Sequence, residues 1–380
     1  MTMISHLRNY QVLVLVGAGG VGKTTLAAAV GLSFALRGRK VMVVTIDPAR
    51  RLARALGLHQ IGGHPHRIDL DELLENCRGT FDIMMLDSGQ VFRSLVERAM
   101  TSEEQRQRIL NNRFFQRFTE AMSGTQEHAA IEKLFELVAG DQYNMIILDT
   151  PPSRHALEFL NSPTRLLAVL DDAVLRWLIK PATSGLSMIS FGSKYIAKVL
   201  SLFTGTEMLL DLTEFLTLFS DQLAGFRERA FRVQQLLQDR QTGYMIVSSP
   251  ERHAMEGALM FHRALKKAGF ALSCLVINRA WRVPDHPITG DLLGRQLKKG
   301  FPEVKLPDGF SSRAYNAYMH RLNVARIHHL KAQQIIAMTN LEYPAYIVPA
   351  LVDEIVNLSG IYEISRFLFR EQDQRDQVLL

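Results

Sequence analysis

Short, continuous apolar runs alternate along the chain with longer stretches of helical period. The runs are Val12 to Val16, Val41 to Ile46, Ile83 to Leu86, Met145 to Leu148, Tyr244 to Ser248 and Leu272 to Ile277. Between them lie four amphipathic stretches: Thr25 to Leu36, Phe92 to Met100, Ala129 to Val138 and Arg252 to Ala268. Runs this short have the length of strands, and their lack of polar alternation leaves no face for water. The pattern predicts an α/β fold with a mostly parallel central sheet covered by helices on both faces. Such a sheet binds ligands beyond the carboxyl ends of its strands, so chemistry is sought directly after each run.

One long segment departs from the alternation. Residues 162–237 read as helical and unusually apolar, with the stripe Met208, Leu212, Phe215, Phe219, Leu223 and Phe226 widened by Leu209, Leu210, Leu216 and Leu218. Gly185, Gly192 and Gly205 break it into short pieces. Residues 1–161 and 238–370 are therefore expected to form one core, with 162–237 as an inserted helical subdomain. The surplus apolar surface fits a groove for a hydrophobic helix, and equally a helical layer packed on itself and on the core. Helical sequence from Arg313 to Met338 and from Tyr362 to Arg370 should pack against the sheet, and the polar residues 371–380 should form a flexible tail.

At 380 residues and 47% apolar, the chain can build one large core with a helical appendage. The residues before the first run lack the parts of a secretory leader, and no stretch reaches about eighteen apolar residues without a charge, so a soluble cytoplasmic protein is expected. Cys77 and Cys274 are far apart and form no C-x-x-C pair, which argues against a disulfide framework and a clustered thiolate site. The net charge of +6 is dispersed over small clusters such as Lys266-Lys267 and Lys298-Lys299, with no aromatic interleaving, so no nucleic-acid partner is expected. His64 and His66, expected in a loop, and the adjacent His328 and His329 have no acidic or cysteine cluster near them to complete a metal site.

Three strand ends carry the chemistry. After the first run comes Gly17-Ala18-Gly19-Gly20-Val21-Gly22-Lys23-Thr24, a complete G-x-x-x-x-G-K-[ST] phosphate loop. Backbone amides from Gly19, Gly20, Val21, Gly22, Lys23, Thr24 and Thr25 would surround a triphosphate, Lys23 would reach its β and γ oxygens, and the Thr24 hydroxyl would ligate Mg²⁺. After the second run, Asp47-Pro48 supplies a carboxylate able to hold the Mg²⁺ shell or orient an attacking water, or a simple helix cap. After the fourth, Asp149-Thr150-Pro151-Pro152 places a second carboxylate near Mg²⁺ and a turn that can sense the γ-phosphate. The rival Asp87, after the third run, is followed by no such turn.

Together with Gly124-Thr125-Gln126-Glu127, Asn278-Arg279 and Ile347-Val348-Pro349-Ala350-Leu351, these motifs resemble the ArsA family. That group includes the ATPase subunits of arsenite pumps and the targeting factors for tail-anchored membrane proteins, and belongs with the wider MinD/ParA ATPases. The resemblance is dense over 11–160 and thin over 162–240. It implies a P-loop NTPase fold, ATP and Mg²⁺ as cofactors, ATP hydrolysis, and action as a dimer that handles a hydrophobic client or energises a membrane partner. It also places Asp47 in a first switch as the catalytic aspartate, Asp149 at the start of a second switch, Asn278 on the adenine edge, and Pro349 and Ala350 in a loop over the base.

One departure bears on mechanism. The family's early lysine, which reaches across the dimer to the partner's nucleotide, is Ala18 here. A cation of this kind is worth roughly 10³ to 10⁵ in phosphoryl-transfer rate, so slow or partner-dependent hydrolysis is expected. A lysine-bearing paralogue could supply the cation in a heterodimer, or Arg50, Arg51 or Arg154 could replace it. The alternative to a hydrolysing homodimer is a weakly active regulatory or scaffold subunit. A MinD-like membrane-surface role is disfavoured for lack of a basic amphipathic C-terminal helix, and electron transfer through a shared cluster for lack of thiolates.

Overall fold

The computed structural model describes residues 3–46, 51–99, 102–113, 115–116, 126–151, 211, 214, 225, 227–284, 286–300, 302, 307–339, 343–351 and 355–369. Asp47, Arg50, Arg154, the 371–380 tail and most of the expected 162–237 insert lie outside these residues.

All six expected strands form. They are β1 (Val12–Gly17), β2 (Lys40–Thr45), β4 (Thr80–Met85), β5 (Met145–Asp149), β6 (Thr242–Ser248) and β7 (Leu272–Ala280). Two more complete an eight-stranded sheet of order β3-β4-β2-β5-β1-β6-β7-β8: β3 (His66–Ile68) and β8 (Ala345–Pro349). Every neighbouring pair is parallel except β3 with β4. The sheet is thus mostly parallel, as the continuous apolar runs require.

The period of two in the strands sorts their side chains into two cores. Leu13, Leu15, Val41, Val43, Ile147, Met245 and Val247 pack on one face, and Val12, Val14, Val16, Met42, Val44, Ile146 and Ile246 on the other. The first face is covered by α2 (Lys23–Ala35) and α10 (Leu358–Phe369). The second is covered by α6 (Gln126–Ala139), α7 (Arg252–Lys267) and the distal part of α9 (Phe310–Thr339), through Leu134, Phe261 and Ile335 among others. Further described helices are α1 (Met3–Leu7), α3 (Arg51–Ala55), α4 (Ser88–Ala99), α5 (Glu103–Asn111) and α8 (Gly290–Gly300), and residues 227–238 are helical as well, with Val233 and Leu237 in the second core. None among the described residues is long and apolar enough to cross a membrane.

The structure corrects several local expectations. The stretch read as an amphipathic helix from Thr25 is α2, which is buried at every position except Thr25, because it is sandwiched between the sheet and α10. His66, expected in a loop, opens β3. That strand is held by the buried Asp82 on β4, which accepts from the Arg67 guanidinium and from the Tyr143 hydroxyl at 2.9 Å. Burial, reinforced by that hydrogen bond, pushes the Tyr143 phenol up from its usual range. Asp87 is the cap of α4, accepting from the Gln90 amide at 3.0 Å. Two residues of the insert region are tied to α5: Arg108 donates to Glu214 at 2.6 Å, and the Asn112 side chain donates to the Asp211 carbonyl at 3.0 Å. Cys274 is enclosed in β7, where burial pushes its thiol up to about 12 and removes it from reactive chemistry.

The approach of α2 to the sheet depends on Gly31. A Cβ there would stand 2.8 Å from both Phe81 and Val43, which are fully buried. Gly31→Val is expected to destabilise the fold by about 1–3 kcal/mol, the usual cost of overpacking. Urea denaturation checks this, and a variant as stable as the parent would show that the interface yields freely.

Candidate functional site

The site grows from the carboxyl ends of β1, β2, β5 and β7. β1 ends at Gly17, where a Cβ would run into the Val247 carbonyl of β6, so only glycine lets the chain leave the sheet there. The loop returns through Gly22, whose φ of 90° is left-handed, and α2 starts at Lys23 with no side chain capping its first turn. The N-terminal amides of α2 thus face the loop's concavity with the positive end of the helix dipole behind them.

Within this loop Lys23 is 7% exposed and its ammonium donates to the Gly17 and Ala18 carbonyls at 3.1 Å each. Asp149, 1% exposed at the end of β5, accepts from the Thr24 hydroxyl at 2.6 Å and from the Thr45 hydroxyl at 3.0 Å. Register explains the convergence: Asp149 is the partner of Leu15 in β1 and of Thr45 in β2, so adjacent parallel strands end side by side. The Ile46 amide donates to the Asp149 carbonyl, and the Thr150 hydroxyl turns back to the Leu15 carbonyl at 2.6 Å. The start of the second expected switch is therefore pinned to the strand that feeds the phosphate loop.

The residues fit a magnesium ion. Thr24 and Asp149 bring hard oxygen donors together at the mouth of a phosphate loop, and Mg²⁺ takes one or two protein oxygens with the rest from phosphate and water. Thr45 was not singled out in the sequence. Its signal was position alone, as a hydroxyl on the last residue of an apolar strand beside the carboxylate strand.

On the opposite side, Asn278 is 5% exposed and its side-chain amide donates to the Val21 carbonyl at 2.8 Å. Pro349 ends β8 opposite Ala280, and the Ala350 amide donates to the Ala280 carbonyl at 3.0 Å. Asn278, Pro349 and Ala350 thus share one end of the β7–β8 pair, with Asn278 against the phosphate loop. Arg51 lies exposed on α3. Ala18 is 1% exposed, and a Cβ on Gly257 of α7 would stand 3.4 Å from its methyl. No cluster of three or more metal-ligating side chains occurs among the described residues.

Comparison with known proteins agrees with this geometry. The family described as anion-transporting ATPase, ArsA_ATPase, matches residues 10–296. The ATPase GET3B of Arabidopsis thaliana is 26% identical over 277 residues, covering 69% of this chain and 62% of that protein. The ATPase GET3C of the same plant is 24% identical over 283 residues, covering 69% and 65%. The ATPase GET3 of Malassezia globosa is 27% identical over 150 residues, covering 40% and 41%. The match thus spans less than two thirds of each relative's length. With a phosphate loop on β1, a carboxylate ending β5 and a family match over most of its length, the chain belongs to the ArsA family of anion-transporting ATPases.

Proposed function

We propose that this chain binds Mg²⁺–ATP and hydrolyses it, working as a dimeric switch that repositions the 162–237 segment for a hydrophobic client or a membrane partner. The observation that carries the reading is the 2.6 Å contact between Thr24 and Asp149 at the mouth of the phosphate loop. It supports a site where a loop hydroxyl and a strand-end carboxylate share one cation.

In this reading the amides of Gly19 to Thr25 bind the phosphates and the Lys23 ammonium moves from the Gly17 and Ala18 carbonyls onto the β and γ oxygens. Mg²⁺, when bound, neutralises charge that develops between those phosphates. Thr24 and Asp149 hold its position, and Asp47 orients the attacking water. Asn278, Pro349 and Ala350 face the base. Because Asp149 and Thr150 are bonded to β2 and β1, loss of the γ-phosphate at this corner would be felt by the segment that follows Pro151.

Titration calorimetry on the purified chain tests this. ATP should bind with an affinity that Mg²⁺ strengthens and chelation weakens. No affinity for ATP or GTP, with or without Mg²⁺, would overturn it. A second reading, a slow regulatory subunit paired with a lysine-bearing paralogue, is favoured by Ala18, whose methyl offers no cation to a partner. Turnover that rises only on adding such a paralogue would select it, and brisk turnover by the chain alone would reject it.

A further inference from the structure

A parallel strand should send neighbouring side chains to opposite faces, yet Asn278 and Arg279 both bond the phosphate loop. Asn278 reaches the Val21 carbonyl at 2.8 Å, and the Arg279 guanidinium donates to the Gly20 carbonyl at 2.9 Å. The alternation fails because the β7–β8 register shifts between Ile277 and Ala280, and because Arg279 is left-handed, with a φ of 58°. An arginine in that region is strained, and such strain persists only where the surroundings hold it in place.

The loop's polarity supplies the reason. Amides that turn inward to phosphate leave carbonyls facing outward, where they accept from water or from nearby side-chain donors. Lys23 serves Gly17 and Ala18, Arg279 serves Gly20 and Asn278 serves Val21. Lys23 is needed by the ligand, whereas the two β7 residues bond the outside of the loop and can stay. Gly22 admits the second of them, since a Cβ at that position would collide with the Asn278 amide.

We propose that Arg279 is a positioning residue: from a bulged, left-handed site on β7 it latches the Gly20 carbonyl and holds the phosphate loop ready for a triphosphate. This rests on the nucleotide-binding reading above. Without the latch, part of the binding free energy would go into ordering the loop, so affinity would fall for ligands that carry phosphates and not for the base alone.

The test uses Arg279→Gly, which removes the guanidinium while suiting the left-handed backbone, and Arg279→Lys, which keeps a charge with a single donor group. For the glycine variant, Mg²⁺–ATP affinity by calorimetry should fall about tenfold, the scale of one charged hydrogen bond, while thermal stability and the adenosine affinity read by NMR stay at parental values. The lysine variant should fall between the two. A glycine variant that binds Mg²⁺–ATP as the parent does overturns the proposal. So does one that loses adenosine and ATP affinity equally, which would mark a general structural role. A parental chain that binds no nucleotide overturns the nucleotide reading itself, and this proposal with it.

Discussion

Lys23→Ala should weaken Mg²⁺–ATP binding by about a hundredfold or more. A charged hydrogen bond contributes about 1.5–3 kcal/mol, and an ammonium at the β and γ oxygens makes two of them, so the loss spans at least two factors of ten at about 1.4 kcal/mol each. The side chain is well placed to deliver this, because it is buried and already held by the Gly17 and Ala18 carbonyls within the loop. Its removal strips those carbonyls of a donor but also spares the fold the cost of burying an ammonium. These terms oppose each other, so the melting temperature should stay close to that of the parent. Calorimetry beside a thermal melt separates the two effects. An alanine variant that folds and binds ATP within threefold of the parent would refute the assignment of Lys23.

The second large effect is expected at Asp149, where Asp149→Asn should reduce the Mg²⁺ enhancement of ATP affinity by about tenfold to a hundredfold. An amide has the shape of the carboxylate, and its oxygen can still accept from Thr24 and Thr45. What it lacks is the negative charge beside the cation. Affinity measured in the presence of a chelator should therefore be nearly unchanged, while the Mg²⁺ titration flattens and turnover falls with it. Asp149→Ala is a different perturbation, since it leaves two hydroxyls without their acceptor at a cost of about 1–3 kcal/mol each. An asparagine variant with the parent's full Mg²⁺ response would remove Asp149 from the metal's neighbourhood.

The layered fold was legible because its signals are local and repeated. β1, β2, β4 to β7 and the helices α2, α4, α6 and α7 occupy the runs and periods read from the chain. β3 was not legible: three residues, His66 to Ile68, carry no run of their own, and the strand exists because β4 offers an edge and Asp82 a buried acceptor for Arg67. β8 was hidden for another reason, since the resemblance places Pro349 and Ala350 in a loop over the base, whereas Ala345–Pro349 completes the sheet and Ala350 follows it. Helices α5 and α8 were missed because their apolar positions are few, and α8 buries none of its residues.

The candidate site divides in the same way. Gly17 to Thr24 and Asp149 were identified by type and spacing, because a phosphate loop is one contiguous segment and its chemistry needs those residues in that order. The meeting of Thr24, Thr45 and Asp149, and that of Arg279 with Gly20, join residues brought together only by pairing of parallel strands and a bulge in β7. By itself, then, the chain's order of residues determined the strands, the phosphate loop and the carboxylate that follows β5. Tertiary structure alone decided which neighbours that carboxylate and that loop would have. Strand register depends on contacts between distant segments, and a single left-handed residue can reverse the face that local periodicity assigns.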